Sequence, residues 1–98
     1  MIYHVTTKSN WEEALQKGSF EAASLFSEGF IHASKAEQVA GVLDRFYKNQ
    51  TDLLKLCIDE SKLTHPLIYE MAPSLQEEFP HIYGSINLDA IIDVEEIK

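Results

Sequence analysis

Gly29-Phe30-Ile31-His32-Ala33-Ser34, running on into Lys35-Ala36-Glu37-Gln38, packs a strand, a histidine and a helix start into one short stretch. Phe30 and Ile31 begin as a buried strand would, and His32 interrupts them with a polar ring. Ser34 with Glu37 three places on reads as a capping box, so the strand should hand over directly to a helix. A histidine at such a junction sits beside unpaired backbone N–H groups and the positive end of the helix dipole, a place suited to an anionic or carbonyl group. Two further histidines, His4 and His81, lie in short apolar, strand-like runs. The central expectation is that His4, His32 and His81 converge on one cleft.

Working outward from that stretch, Ile2 to Thr6 is rich in β-branched and aromatic residues and reads as a first strand, with Ile2, His4 and Thr6 on one face. Ser9 with Glu12 forms a second capping box, opening a helix over residues 10–17 that Gly18 stops. Residues 19–28 show no period and read as a loop pinned by Phe20, Leu25 and Phe26. The second helix, over 35–48, carries Ala36, Val39, Ala40, Val42, Leu43, Phe46 and Tyr47 on one stripe, as a helix packed flat on a sheet would. Gly41 costs that helix roughly 1 kcal/mol against Ala, which a close approach by a strand or ligand would offset.

Downstream, residues 53–59 alternate with period two as a half-buried strand. Residues 67–71 make another strand, with Ile68 and Glu70 facing opposite to Leu67, Tyr69 and Met71. Residues 72–78 are a polar excursion, and Phe79-Pro80-His81-Ile82-Tyr83-Gly84 follows, where Pro80 points to a strand start or an edge. Residues 86–88 continue weakly and 90–97 form a last strand. Helices early and a mostly antiparallel sheet make the class α+β.

Composition narrows the function. A chain of 98 residues should be one domain, spanning 1–98, with a single modest core. Eight basic against sixteen acidic residues give a formal charge of -8 and no basic stripe, so nucleic acid and anionic membrane surfaces are excluded as partners. No apolar run approaches the roughly 20 residues that a bilayer requires, and residues 1–15 lack the pattern of a signal peptide, so the expected location is the cytoplasm. The single Cys57 cannot form an internal disulfide and reads as a packed thiol. Three imidazoles suit zinc in principle, but positions 4, 32 and 81 match no ligand spacing, and no metal is expected. Acid–base chemistry fits better, because a histidine with an ordinary pKa of about 6.5 exchanges protons near neutrality when a carboxylate stands beside it. Glu70, Glu77 and Glu78 are the candidate carboxylates, and Thr6 and Ser34 the candidate hydroxyls. Tyr3, Tyr69 and Tyr83 are placed to frame a flat ring.

With these motifs in hand, the chain resembles, over nearly its whole length, a family of small bacterial proteins called domain of unknown function 952. The resemblance implies a fold similar to ADP-ribosyltransferases, a group that includes poly-ADP-ribose polymerases and RNA 2'-phosphotransferases, and hence an ADP-ribosyltransferase-like split sheet. It implies that His4 resembles the first-strand histidine that holds the adenosine ribose of NAD. His32 is similar to the second-motif histidine of the phosphotransferases, while Glu77 or Glu78 lies near the third-motif glutamate and His81 in the corresponding wall. RNA 2'-phosphotransferases rely on several arginines, whereas Arg45 stands alone here, so RNA is not the expected substrate. NAD is the implied cofactor, with few cations to meet its pyrophosphate. Together these readings give a transferase or hydrolase acting on a nucleotide-like small molecule. His4 orients a sugar hydroxyl, His32 and Tyr83 contact the ring or leaving group, His81 or Glu78 moves the proton, and Thr6 and Ser34 line the ligand site. The competing class is a non-catalytic binding or interaction module on the same fold.

Overall fold

The structure, a computed structural model, describes residues 1–97. Strand β1 (Ile2–Thr7) passes straight into helix α1 (Lys8–Lys17). The helix starts two residues before the expected point because Thr7, not Ser9, is the cap: its hydroxyl accepts from the Asn10 N–H at 3.1 Å. At the other end the Gly18 N–H closes onto the Ala14 carbonyl, as the sequence led us to expect.

The stretch expected to be a loop holds two small elements. Strand β2 (Ser19–Phe20) pairs with the distant β7 (Ile86–Asn87), and helix α2 (Ala23–Ser27) follows. Phe20 is fully buried and Leu25 packs on the core, whereas Phe26 is 75% exposed and pins nothing. Strand β3 (Ile31–His32) leads through a 3-10 turn (Ala36–Gln38) into helix α3 (Val39–Phe46). The capping pair here is displaced by one residue from Ser34 and Glu37. Gln38 takes the role, its side-chain oxygen accepting from the Lys35 N–H at 2.9 Å while its amide donates to the Glu78 carbonyl at 2.8 Å. Ser34 is occupied elsewhere, exchanging both backbone hydrogen bonds with Tyr3. Helix α3 is only half-buried, and the neighbour lying over Gly41 is Arg45 of the same helix, not a strand or ligand.

The remaining strands are β4 (Leu53–Ile58), β5 (Leu67–Ala72), β6 (Glu77–Ile82) and β8 (Ile91–Glu96). They build two three-stranded sheets, ordered β1-β4-β8 and β3-β6-β5, and every strand pair among the described residues is antiparallel. The class is therefore α+β with mostly antiparallel sheets and three α-helices. Strand β4 is the middle strand, and its residues are buried on both faces rather than one. Pro80 lies in the middle of a central strand, against the expectation of an edge. Its carbonyl accepts from Ala33 at 2.9 Å, so its missing N–H faces the place where β3 ends and the partner peels away. Ile2, Phe20, Ile31, Leu56, Ile58, Ile82 and Ile86 form the core between the elements.

Among the described residues, Tyr3 and Ser34 form the backbone bridge that joins the two sheets, with N–H to O distances of 2.8 and 2.7 Å. Ladder periodicity makes Val5 and His32 the next pair. That pair is not formed, and side chains take both carbonyls instead. His4 Nδ1 donates to the His32 carbonyl at 2.5 Å, and the Tyr47 hydroxyl donates to the Val5 carbonyl at 3.2 Å. The sheets part at this point.

Candidate functional site

Chain geometry assembles the cluster beside this split in three steps. Helix α2 ends with Gly29 in the left-handed region at φ 90°, and the Ser24 hydroxyl donates to the Phe30 carbonyl at 2.8 Å. This reversal brings Glu28 back over His32, whose Nε2 lies 3.1 Å from a Glu28 oxygen. The pairing of β3 with β6 then sets His32 directly opposite His81, with ring centroids 5.1 Å apart. Phe30 stacks on His81 at 4.2 Å and also reaches Tyr83 at 5.3 Å. Beyond Tyr83, Gly84 admits the His65 ring: a Cβ there would lie 2.3 Å from the His65 ring carbon, and His65 itself donates from Nδ1 to the Ser85 carbonyl at 2.7 Å.

Strand β5 supplies the carboxylate. Ile68 pairs with His81 and Glu70 with Phe79, so Glu70 projects from the same face as His81. One Glu70 oxygen accepts from His81 Nδ1 at 2.8 Å and from the Tyr83 hydroxyl. These donors, Tyr83 first and His81 second, hold the Glu70 carboxyl below its ordinary range, and Glu70 in turn pushes the Tyr83 phenol up. The side chain of His81 is 13% exposed and that of Glu70 40%. With Nδ1–H committed to Glu70, a neutral His81 keeps its lone pair on Nε2, which is the arrangement of a carboxylate-oriented imidazole base.

His4 is fixed in the same tautomer by a different partner. Its Nδ1–H is given to the His32 carbonyl, its ring meets Phe20 edge-on at 5.2 Å, and burial lowers its pKa from 6.5 to about 4. His4 is therefore neutral at pH 7, with Nε2 available to accept from a hydroxyl.

The sequence-expected residues fall into three groups. His32, His81 and Tyr83 meet in one cluster, and His4 joins it through the His32 backbone. Thr6 is buried opposite Leu54, on the same face of β1 as His4 but without a contact to the cluster, and Ser34, also buried, serves the junction of the sheets. Glu78 does not join: the pleat of β6 turns it to the face opposite His81, and its carbonyl is held by Gln38. Glu77 accepts from the Gln38 amide at 3.3 Å. Glu70 takes the place foreseen for Glu78, and Phe30 and Glu28 were not foreseen at all. The period-two reading of 67–71 had already set Glu70 and Ile68 on one face, but only the pairing shows which face carries His81.

Among the described residues, metal-ligating atoms gather elsewhere, on Cys57, Asp93 and Glu95, all within 4.8 Å of one another. Glu95 is already paired with Lys55 at 3.0 Å, and burial pushes the Cys57 thiol up, which disfavours the thiolate that a metal needs. A cavity of about 340 Å³ also opens away from the histidines, lined by Lys8, Trp11, Glu12, Leu54, Val94 and Glu96.

The sequence profile of the family described as Protein of unknown function (DUF952) matches residues 5–94, and the chain belongs to that family. Its fold is similar to the crystal structure of protein CC0527 from Caulobacter crescentus, with 26% identity and a TM-score of 0.90, covering 99% of this chain and 85% of that one. The solution NMR structure of CC0527 is similar too, with 26% identity and a TM-score of 0.84 over 99% of this chain and 84% of the other. No curated protein matches the chain.

Proposed function

We propose that the chain is a single domain that binds a small polar ligand over the His32 and His81 rings and uses His81 as the proton carrier in a transfer or hydrolysis reaction. The observation that carries this reading is the Glu70 oxygen that accepts from both His81 and Tyr83, leaving His81 Nε2 as the free base. Glu70 positions the ring, Tyr83 holds the same Glu70 oxygen in place, and neutral His4 accepts from a ligand hydroxyl. Two sheets that part beyond Tyr3 and Ser34 support an ADP-ribosyltransferase-like split sheet as the frame.

Charge favours a ligand without phosphate. Glu28 and Glu70 border the cluster, whereas Lys8, Lys17 and Lys55 are paired with Glu96, Glu21 and Glu95, and Lys35 and Arg45 lie over Tyr69 and Phe46. A nucleoside or other uncharged glycoside complements this surface better than the pyrophosphate of NAD. Calorimetry and thermal shift with nucleosides, ADP-ribose and NAD test the reading. Nucleosides should stabilise the native protein and the phosphorylated ligands should not. With a turned-over ligand, His81→Gln should lower the rate by about a hundredfold or more. Failure of the whole panel to bind, with His81→Gln altering only stability, would refute it.

The second reading is a non-catalytic module, and Phe30 stacked on a mostly buried His81 favours it. There the Glu70 network only ties β5 to β6. Glu70→Gln would then lower the melting temperature and leave ligand affinity untouched.

A further inference from the structure

The two outer strands of the sheets are defended very differently. Strand β8 carries Asp93, Glu95 and Glu96, and its register against β4 shifts between Cys57 and Ile58, features that keep an edge from recruiting another strand. Strand β5 has no Lys, no Pro and no shift, pairing with β6 over its full length. It also exposes Ile68 (47%), Tyr69 (39%) and Met71 (58%).

Alternation fixes which backbone groups are open. The Pro66 carbonyl accepts from Tyr83 at 2.8 Å, so Ile68 and Glu70 also direct their backbone groups to β6, and Leu67, Tyr69 and Met71 direct theirs outward. We infer that this edge pairs with the same edge of a second copy of the chain, antiparallel about a twofold axis at Tyr69. An antiparallel match must set outward residue against outward residue, which leaves three neighbouring registers. Centring on Glu70 puts two carboxylates face to face, and centring on Ile68 leaves Met71 unpaired. Centring on Tyr69 joins Tyr69 to its own copy and Leu67 to Met71 of the partner subunit, satisfying every outward N–H and C=O of these residues in both chains. It also brings Leu67, Tyr69 and Met71 of both copies side by side on the face where Lys35 lies over the Tyr69 ring. Ile68 of the partner subunit then lies opposite Glu70 and shields the carboxylate from water. That last consequence rests on the site reading above, while the pairing itself does not.

Sedimentation equilibrium of the full chain over a wide concentration range tests the pairing, together with amide hydrogen exchange. The expected result is a reversible dimer, strengthened by salt because each copy carries a charge of -8, with slowed exchange at Leu67, Tyr69 and Met71. Met71→Lys, at an exposed position, should weaken the dimer at least about tenfold while the circular dichroism of the chain stays the same. A chain that stays monomeric at every concentration, fast exchange at those three amides, or a dimer that Met71→Lys leaves unchanged would overturn the inference.

Discussion

Each imidazole of the cluster commits one nitrogen to structure and keeps the other, and the sequence foretold the rings but not the nitrogens. His4 is the clearest case, with its pKa lowered from 6.5 to about 4. Because the folded value is depressed, the unfolded chain takes up the proton first as the pH falls. The stability present above pH 6.5 is therefore lost progressively as the pH falls toward about 4. Glu70, also held low, adds loss in the same direction from the ordinary carboxylate range downward. Urea midpoints measured from neutral to acid pH should fall across this window. His4→Gln, which keeps a donor for the His32 carbonyl, should flatten the upper part, and an unchanged slope would contradict the assignment. The carboxylate was less legible. Glu70, Glu77 and Glu78 are chemically alike, and nothing local distinguishes the one whose face carries His81.

Elements with their own period or stop signal were readable, and those that exist only through a partner were not. The alternation of 53–59 and 67–71 gave β4 and β5, and Gly18 gave the end of α1. β2 and β7 are two residues each and owe their form to one another: β2 shows no pattern in isolation, and β7 was legible only as the weak continuation over 86–88. Capping is a competition among nearby hydroxyls, and at α1 Thr7 wins because it stands where β1 ends. Thr7→Ala should cost about 1 kcal/mol in thermal or denaturant unfolding, and Ser9→Ala markedly less. Equal losses would restore Ser9 as the cap.

At the scale of the molecule, the decisive feature is the place where two sheets joined at Tyr3 and Ser34 stop pairing. Tyr47 holds one lip of that opening through the Val5 carbonyl, and its half-buried phenol is pushed up by desolvation. Tyr47→Phe should destabilise the fold by about 1 to 3 kcal/mol, because the carbonyl loses its partner with little change in packing volume. It should also speed amide exchange in β1 more than in β6. Uniform exchange in both sheets would argue against a role at the split.

The amino-acid order alone determined the class of fold, the excess of acidic over basic residues, and the three histidines embedded in strands, because composition and period can be read without the tertiary structure. Tertiary structure alone decided that His32 faces His81, that Glu70 rather than Glu78 meets them, and that His4 caps a carbonyl across the split. These depend on strand register, and in a pleated sheet a slip of a single residue sends every side chain to the other face.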